Sequence, residues 1–114
     1  MKMYYIISLK HTSKGDSALT FFGPDNNGYT WHKKRAGLYT EEEVDRFTSD
    51  ENPKVEQSLV DQFWMNAKDF GDEFISVPNN KTVLQVLGLN EKYMKPKKFA
   101  GCRMVFINLP VSTL

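Results

Sequence analysis

The residues best suited to chemistry lie in the first third of the chain. Lys10-His11-Thr12 follow an apolar run, and Tyr29 and Trp31 stand two apart, directly ahead of His32-Lys33-Lys34-Arg35. On a strand, residues two apart share a face, so the two rings would lie side by side with positive charge next to them. That combination suits a flat, negatively charged ligand. Stacking a base on an aromatic ring is worth about 1–3 kcal/mol, and Lys and Arg neutralise phosphates. The ligand-facing candidates are therefore Lys10, His11, Thr12, Tyr29, Trp31, His32, Lys33, Lys34 and Arg35. The same residues also have a purely structural reading. Tyr and Trp are good strand formers, cross-strand aromatic pairs stabilise sheets, and a Lys-Lys-Arg run keeps an edge strand from pairing.

His11 and His32 are the only histidines. Either is a weak candidate for a general acid or base, with Lys10 stabilising charge, in a nuclease or phosphodiesterase type of reaction. Trp64, within Gln62-Phe63-Trp64-Met65-Asn66, reads either as the core anchor of a helix or as an exposed anchor for a protein partner with Met65 beside it. Phosphate loops, dinucleotide fingerprints and zinc-protease motifs are all missing from the sequence, and no metal or other cofactor is expected. Cys102 stands alone at the start of an apolar run and reads as a small core residue, not a nucleophile. Asn80-Lys81-Thr82 matches a glycosylation sequon by chance.

The elements that would position these residues have to come from 114 residues, a length that fits a single domain over 1–114. One cysteine excludes an internal disulfide and suits a reducing interior such as the cytoplasm. The start has only a short apolar run before Lys10, unlike a signal peptide, and no window approaches the ~20 apolar residues of a membrane span. Net charge is +1, but it is laid out in blocks. Residues 1–40 carry +4, residues 41–73 carry −8 and residues 74–114 carry +5. The blocks either neutralise one another within the fold or leave opposite faces exposed to oppositely charged partners.

Residues 3–9 form an apolar run that predicts a central strand covered on both faces. Residues 17–22 and 28–32 predict two more strands, joined by Gly23-Pro24-Asp25-Asn26-Asn27-Gly28, whose Pro and Asn-Gly suit a tight hairpin. Together they predict a three-stranded meander. Thr40 with Glu43 forms a capping box opening a short helix, with Val44 and Phe47 inward and an end before Asn52-Pro53. Ser58 is the expected cap of a second helix through about Ala67, with Leu59, Val60, Phe63, Trp64 and Ala67 inside. Residues 74–77 predict a strand. Asn79 or Asn80 caps a third helix holding Val83, Leu84, Val86 and Leu87, with Gly88 at its end. A basic loop, residues 95–98, precedes a last strand over residues 102–109. The expected fold is α+β: a mostly antiparallel sheet, with the meander and two later strands, and about three short helices on one face.

Leu9-Lys10-His11-Thr12, Phe21-Phe22-Gly23-Pro24, Gly28-Tyr29-Thr30-Trp31 and Ala36-Gly37-Leu38-Tyr39 together resemble the N-terminal part of small proteins encoded by bacteriophages and prophages. This chain has Phe22-Gly23 where that pattern carries Trp. The resemblance covers about a third of the chain. It implies a setting inside a bacterial host, where small phage proteins without catalytic motifs often act as counter-defence factors of the anti-CRISPR kind. Such a factor would bind stoichiometrically to a host defence protein, or to an anionic nucleotide or nucleic acid, with no membrane involved. The alternatives are a small nucleotide- or nucleic-acid-processing enzyme using His11 or His32, and a virion structural or assembly protein, which would form homo-oligomers.

Overall fold

The fold is organised around β1 (Met3–Ile6), the middle strand of a three-stranded antiparallel sheet. The computed structural model describes residues 2–66 and 75–96. The expected strand over 102–109, the end of the second helix at Ala67, and Lys97 and Lys98 lie outside the described residues. β1 pairs with β4 (Tyr39–Thr40) on one edge, where Tyr4 faces Tyr39. On its other edge it pairs with β5 (Lys54–Glu56), where Tyr5 faces Val55. Alternation along the strand sends successive side chains to opposite faces. Tyr4 and Ile6 pack with Phe22, Tyr39 and Val44, and Tyr5, Ile7 and Leu9 pack with Leu19, Phe21, Val55, Val60, Val77 and Val83. Burial on both faces is why the run is apolar throughout.

The chain is an α+β protein with antiparallel sheets. β2 (Phe21–Phe22) and β3 (Tyr29–Thr30) form a separate hairpin. It touches the end of β1 through a single bridge, Ile7 to Phe21, and through the Ser8 N–H, which donates to the Thr20 carbonyl at 2.8 Å. The three N-terminal strands thus follow one another as expected, but the ladder partners of β1 come from later in the chain. β6 (Met65–Asn66) and β7 (Ile75–Ser76) make a further short pair.

α1 (Glu41–Val44) has the capping box: the Thr40 hydroxyl accepts from the Glu43 N–H, and the Glu43 carboxylate accepts from the Thr40 N–H. α2 (Gln57–Asp61) starts before Ser58, with Glu56 in the cap position, so Ser58 is inside the helix. This start turns Val60 inward and leaves Leu59 exposed. α3 (Lys81–Leu87) is capped by Asn80, which accepts from Val83 N–H at 2.9 Å, and ends at Gly88 in the left-handed region, φ 69°. Asn79 does not cap the helix; its amide donates to the carbonyls of Ser13 and Asp16. Val83, Leu84 and Leu87 are buried and Val86 is exposed at the edge of their face. α2 and α3 cover the Tyr5 face of β1. α1 lies on the other face, because Val44 packs with Tyr4 and Ile6. No helix among the described residues is long and apolar enough to cross a membrane.

The hairpin turn is held from outside. Pro24–Asn26 forms a short 3-10 turn, with Asp25 and Asn26 at φ 55° and 58° and Gly28 at φ 82°. Asn and Asp tolerate this left-handed region better than other side chains do. The buried Tyr39 hydroxyl donates to the Gly23 carbonyl and accepts from the Asn26 N–H at 2.8 Å. Gly37 lies so close that a Cβ there would come within 2.7 Å of the Gly23 carbonyl oxygen. Tyr39→Phe should therefore lower stability by about 1–3 kcal/mol, the usual cost of stranding buried polar groups. In urea titration the midpoint should fall while the slope stays constant.

Candidate functional site

The site is built where the chain leaves β1. Ser8, Thr12 and Thr20 are buried there, and each hydroxyl is spent on holding backbone. The Thr12 hydroxyl donates to the Ser8 carbonyl at 2.7 Å and accepts from the Thr20 N–H at 3.2 Å. The Thr20 hydroxyl donates to the His11 carbonyl at 3.1 Å and accepts from the Trp31 indole N–H at 3.0 Å. The Ser8 hydroxyl donates to Asn52 Oδ1 at 2.7 Å, accepts from the His11 N–H at 3.3 Å and lies 2.9 Å from His11 Nδ1. A hydroxyl has one proton to give. With that proton on Asn52, His11 Nδ1 is the donor to Ser8. A neutral His11 then carries its lone pair on Nε2.

Two rings are mounted on this frame. Tyr29 stacks on the His11 imidazole, centroids 4.0 Å apart and planes 28° apart, and meets the Phe22 ring edge-on at 5.3 Å. Trp31 is pinned by Thr20. Even so, Tyr29 is 53% and Trp31 38% exposed. Together with His11, Thr20 and Thr30 they line an open hollow of about 400 Å³, within the range of small-molecule sites, roughly 300–1,000 Å³. A second hollow of about 410 Å³ adjoins it across Tyr29 and Thr30, and Gly28, Asn27, Lys34 and Arg35 are among its lining residues. An aromatic compartment thus shares a wall with a cationic one.

The structure brings together His11, Tyr29, Trp31, Lys34 and Arg35 from the sequence candidates and separates the others from them. Lys33 reaches the other way, its ammonium 5.9 Å from the centre of the Trp64 ring. His32 Nδ1 accepts from the Lys34 N–H at 3.4 Å, capping the short 3-10 turn Lys33–Arg35. Lys10 is exposed and lines neither hollow. Thr12 is fully buried, so it braces the site and does not face a ligand. Trp64 is partly buried. It stacks on Phe21 at 5.0 Å, meets Tyr5 edge-on at 5.6 Å and donates to Asp61 at 3.0 Å. It is mainly a core residue, placed after α2 and not within it. Met65 is exposed on β6.

Sequence reasoning missed Ser8, Thr30 and Asn52, and noted Thr20 beside the rings without placing it among the ligand-facing candidates. Ser8 did leave a signal, as a polar residue inside an apolar strand. Asn52 left none. Among the described residues no cluster of three or more His, Cys, Asp or Glu could hold a metal ion. The chain matches no protein-family model, no curated protein and no solved structure.

Burial holds the His11 pKa below its ordinary value of 6.5, and the positive charges of Lys95 and Lys10 push the same way. The unfolded chain therefore takes up a proton at pH values where the folded chain does not. His11 contributes its full share of stability above about pH 6.5 and loses it as pH falls through that value towards the lower folded pKa. An NMR titration should show the His11 ring protonating below pH 6.5. His11→Asn should flatten the pH dependence of stability just below pH 6.5.

Proposed function

We propose that the protein is a stoichiometric binder of a flat, anionic ligand of the nucleotide class, either free or as a short stretch of single-stranded nucleic acid. One observation carries this reading. Two aromatic rings stay open to solvent in one hollow, while Lys34 and Arg35 line the hollow next to it. A base stacked against Trp31 and Tyr29 would place its phosphate on the Lys34 and Arg35 side. The rings are held before any ligand arrives, by Thr20 and His11, so little ordering cost remains to be met on binding.

Binding is preferred over catalysis because only one histidine lines the hollow. His32 spends Nδ1 on a backbone N–H, so a two-histidine acid–base pair is not assembled there. The resemblance of residues 9–39 to phage-encoded proteins supplies the setting: a counter-defence factor that sequesters a nucleotide signal or a nucleic acid on which a host immune system depends. The exposed Met65 beside Trp64 leaves room on another face for a host protein.

Quenching of Trp fluorescence by mononucleotides and by a short oligonucleotide tests the reading. Trp31→Ala should weaken binding by roughly 5- to 150-fold, the equivalent of about 1–3 kcal/mol of stacking. The double variant Lys34→Ala/Arg35→Ala should lower the salt dependence of oligonucleotide binding, by about 0.7 in log–log slope per charge removed. Absence of binding at low salt, or a salt slope equal to that of the unmodified protein, would overturn the proposal.

A further inference from the structure

We propose that His11 reads the edge of the ligand's ring through Nε2 acting as a hydrogen-bond acceptor, so that the hollow selects a base carrying an N–H donor. The inference rests on the nucleotide-binding reading and adds to it a rule for which ring is taken. Its basis is the saturation of Ser8. That hydroxyl gives its proton to Asn52 Oδ1 and takes two, from the His11 backbone N–H and from Nδ1–H. Ser8 is fully buried, so no water reaches its hydroxyl. The tautomer is thereby set from the protein interior, and Nε2 is left with a lone pair on a residue that lines the hollow.

Neither threonine hydroxyl of the hollow is set up as the same pure acceptor. The Thr20 hydroxyl already donates to the His11 carbonyl and accepts from Trp31. The Thr30 hydroxyl accepts from the His32 N–H at 3.0 Å, which leaves its proton as a donor. A ring lying against Trp31 thus meets an acceptor at His11 and a donor at Thr30. An adenine-type edge, with an amino group beside an unprotonated ring nitrogen, offers the complementary pair.

The charged groups acting on His11 are Lys10 and Lys95, while its hydrogen-bonding and stacking partners Ser8 and Tyr29 carry no charge. Both lysines oppose a second proton on the ring and keep Nε2 an acceptor at neutral pH. Acid removes the preference, because a protonated Nε2 becomes a donor.

The test compares adenosine 5′-monophosphate with purine riboside 5′-monophosphate at pH 7.5. The second compound lacks the amino group and is no larger, so a weaker fit cannot come from a clash. The same two bases are also presented in a short single strand. The unmodified protein should favour the adenine compound by about 3- to 10-fold, the scale of one net hydrogen bond. His11→Asn keeps a side-chain N–H for Ser8 but has no Nε2. It should bind both compounds as the unmodified protein binds purine riboside monophosphate. In the unmodified protein the preference should fade as pH falls through the folded His11 pKa, located by NMR titration below 6.5, a readout that needs no variant. Equal binding of both compounds at pH 7.5, or a preference that survives in His11→Asn, would overturn the inference and leave the binding reading intact. No binding of either compound, free or in a strand, would overturn both.

Discussion

Three buried hydroxyls, those of Ser8, Thr12 and Thr20, are the constraint on which the site depends. A buried hydroxyl without a partner is costly, and among the described residues no buried side-chain polar atom lacks one. Satisfying these three leaves little freedom at the end of β1. Thr12 must fold back on the Ser8 carbonyl, Thr20 must bring the hairpin strand against the turn, and the one remaining oxygen acceptor on Thr20 takes the Trp31 indole N–H. The orientation of an exposed ring is thus determined by groups that never see solvent. Rings at a binding surface are useful in proportion to how little they must reorganise. Here the cost of holding them is met during folding, by the same hydrogen bonds that close the core.

The elements legible in the sequence were those set by local contacts. The Thr40 and Glu43 capping box, the Asn80 cap and the Gly88 stop each involve residues no more than four or five apart, and all are present. The central position of β1 was legible because burial on both faces leaves an unbroken apolar run. β5 was not, since Lys54-Val55-Glu56 is a short polar stretch that becomes a strand only by pairing with Tyr4, Tyr5 and Ile6 about fifty residues earlier. Gln62-Phe63-Trp64-Met65-Asn66 misled for a related reason. Short apolar runs do not distinguish helix from strand, and the pairing of Met65 and Asn66 with Ser76 and Ile75 decides it.

The candidate site divides along the same line. Alternation placed Tyr29 and Trp31 on one surface, and they do line one hollow. Whether that surface faces solvent depended on what covers it, and no spacing along the chain records that. Lys33, Lys34 and Arg35 form one run in the sequence, but a 3-10 turn sends consecutive side chains about 120° apart. Lys33 therefore finds Trp64 while Lys34 and Arg35 reach the second hollow. Asn52 acts on His11 through Ser8 across more than forty residues, and that contact exists only once β1 and the segment leading into β5 have met.

His11 is a neutral ring held among cations. Lys10 and Lys95 disfavour a proton on it, as burial does, so positive charge near the aromatic hollow is carried by the flexible lysines and not by the ring that stacks on Tyr29. Lys34 and Arg35 line the adjoining hollow, one compartment away. Separating rings from cations has a physical consequence. Stacking tolerates salt, whereas phosphate pairing weakens steeply with it. A ligand bridging both hollows would therefore be held by two interactions that fail under different conditions, and Tyr29 and Thr30, the wall common to both, couple them by geometry alone.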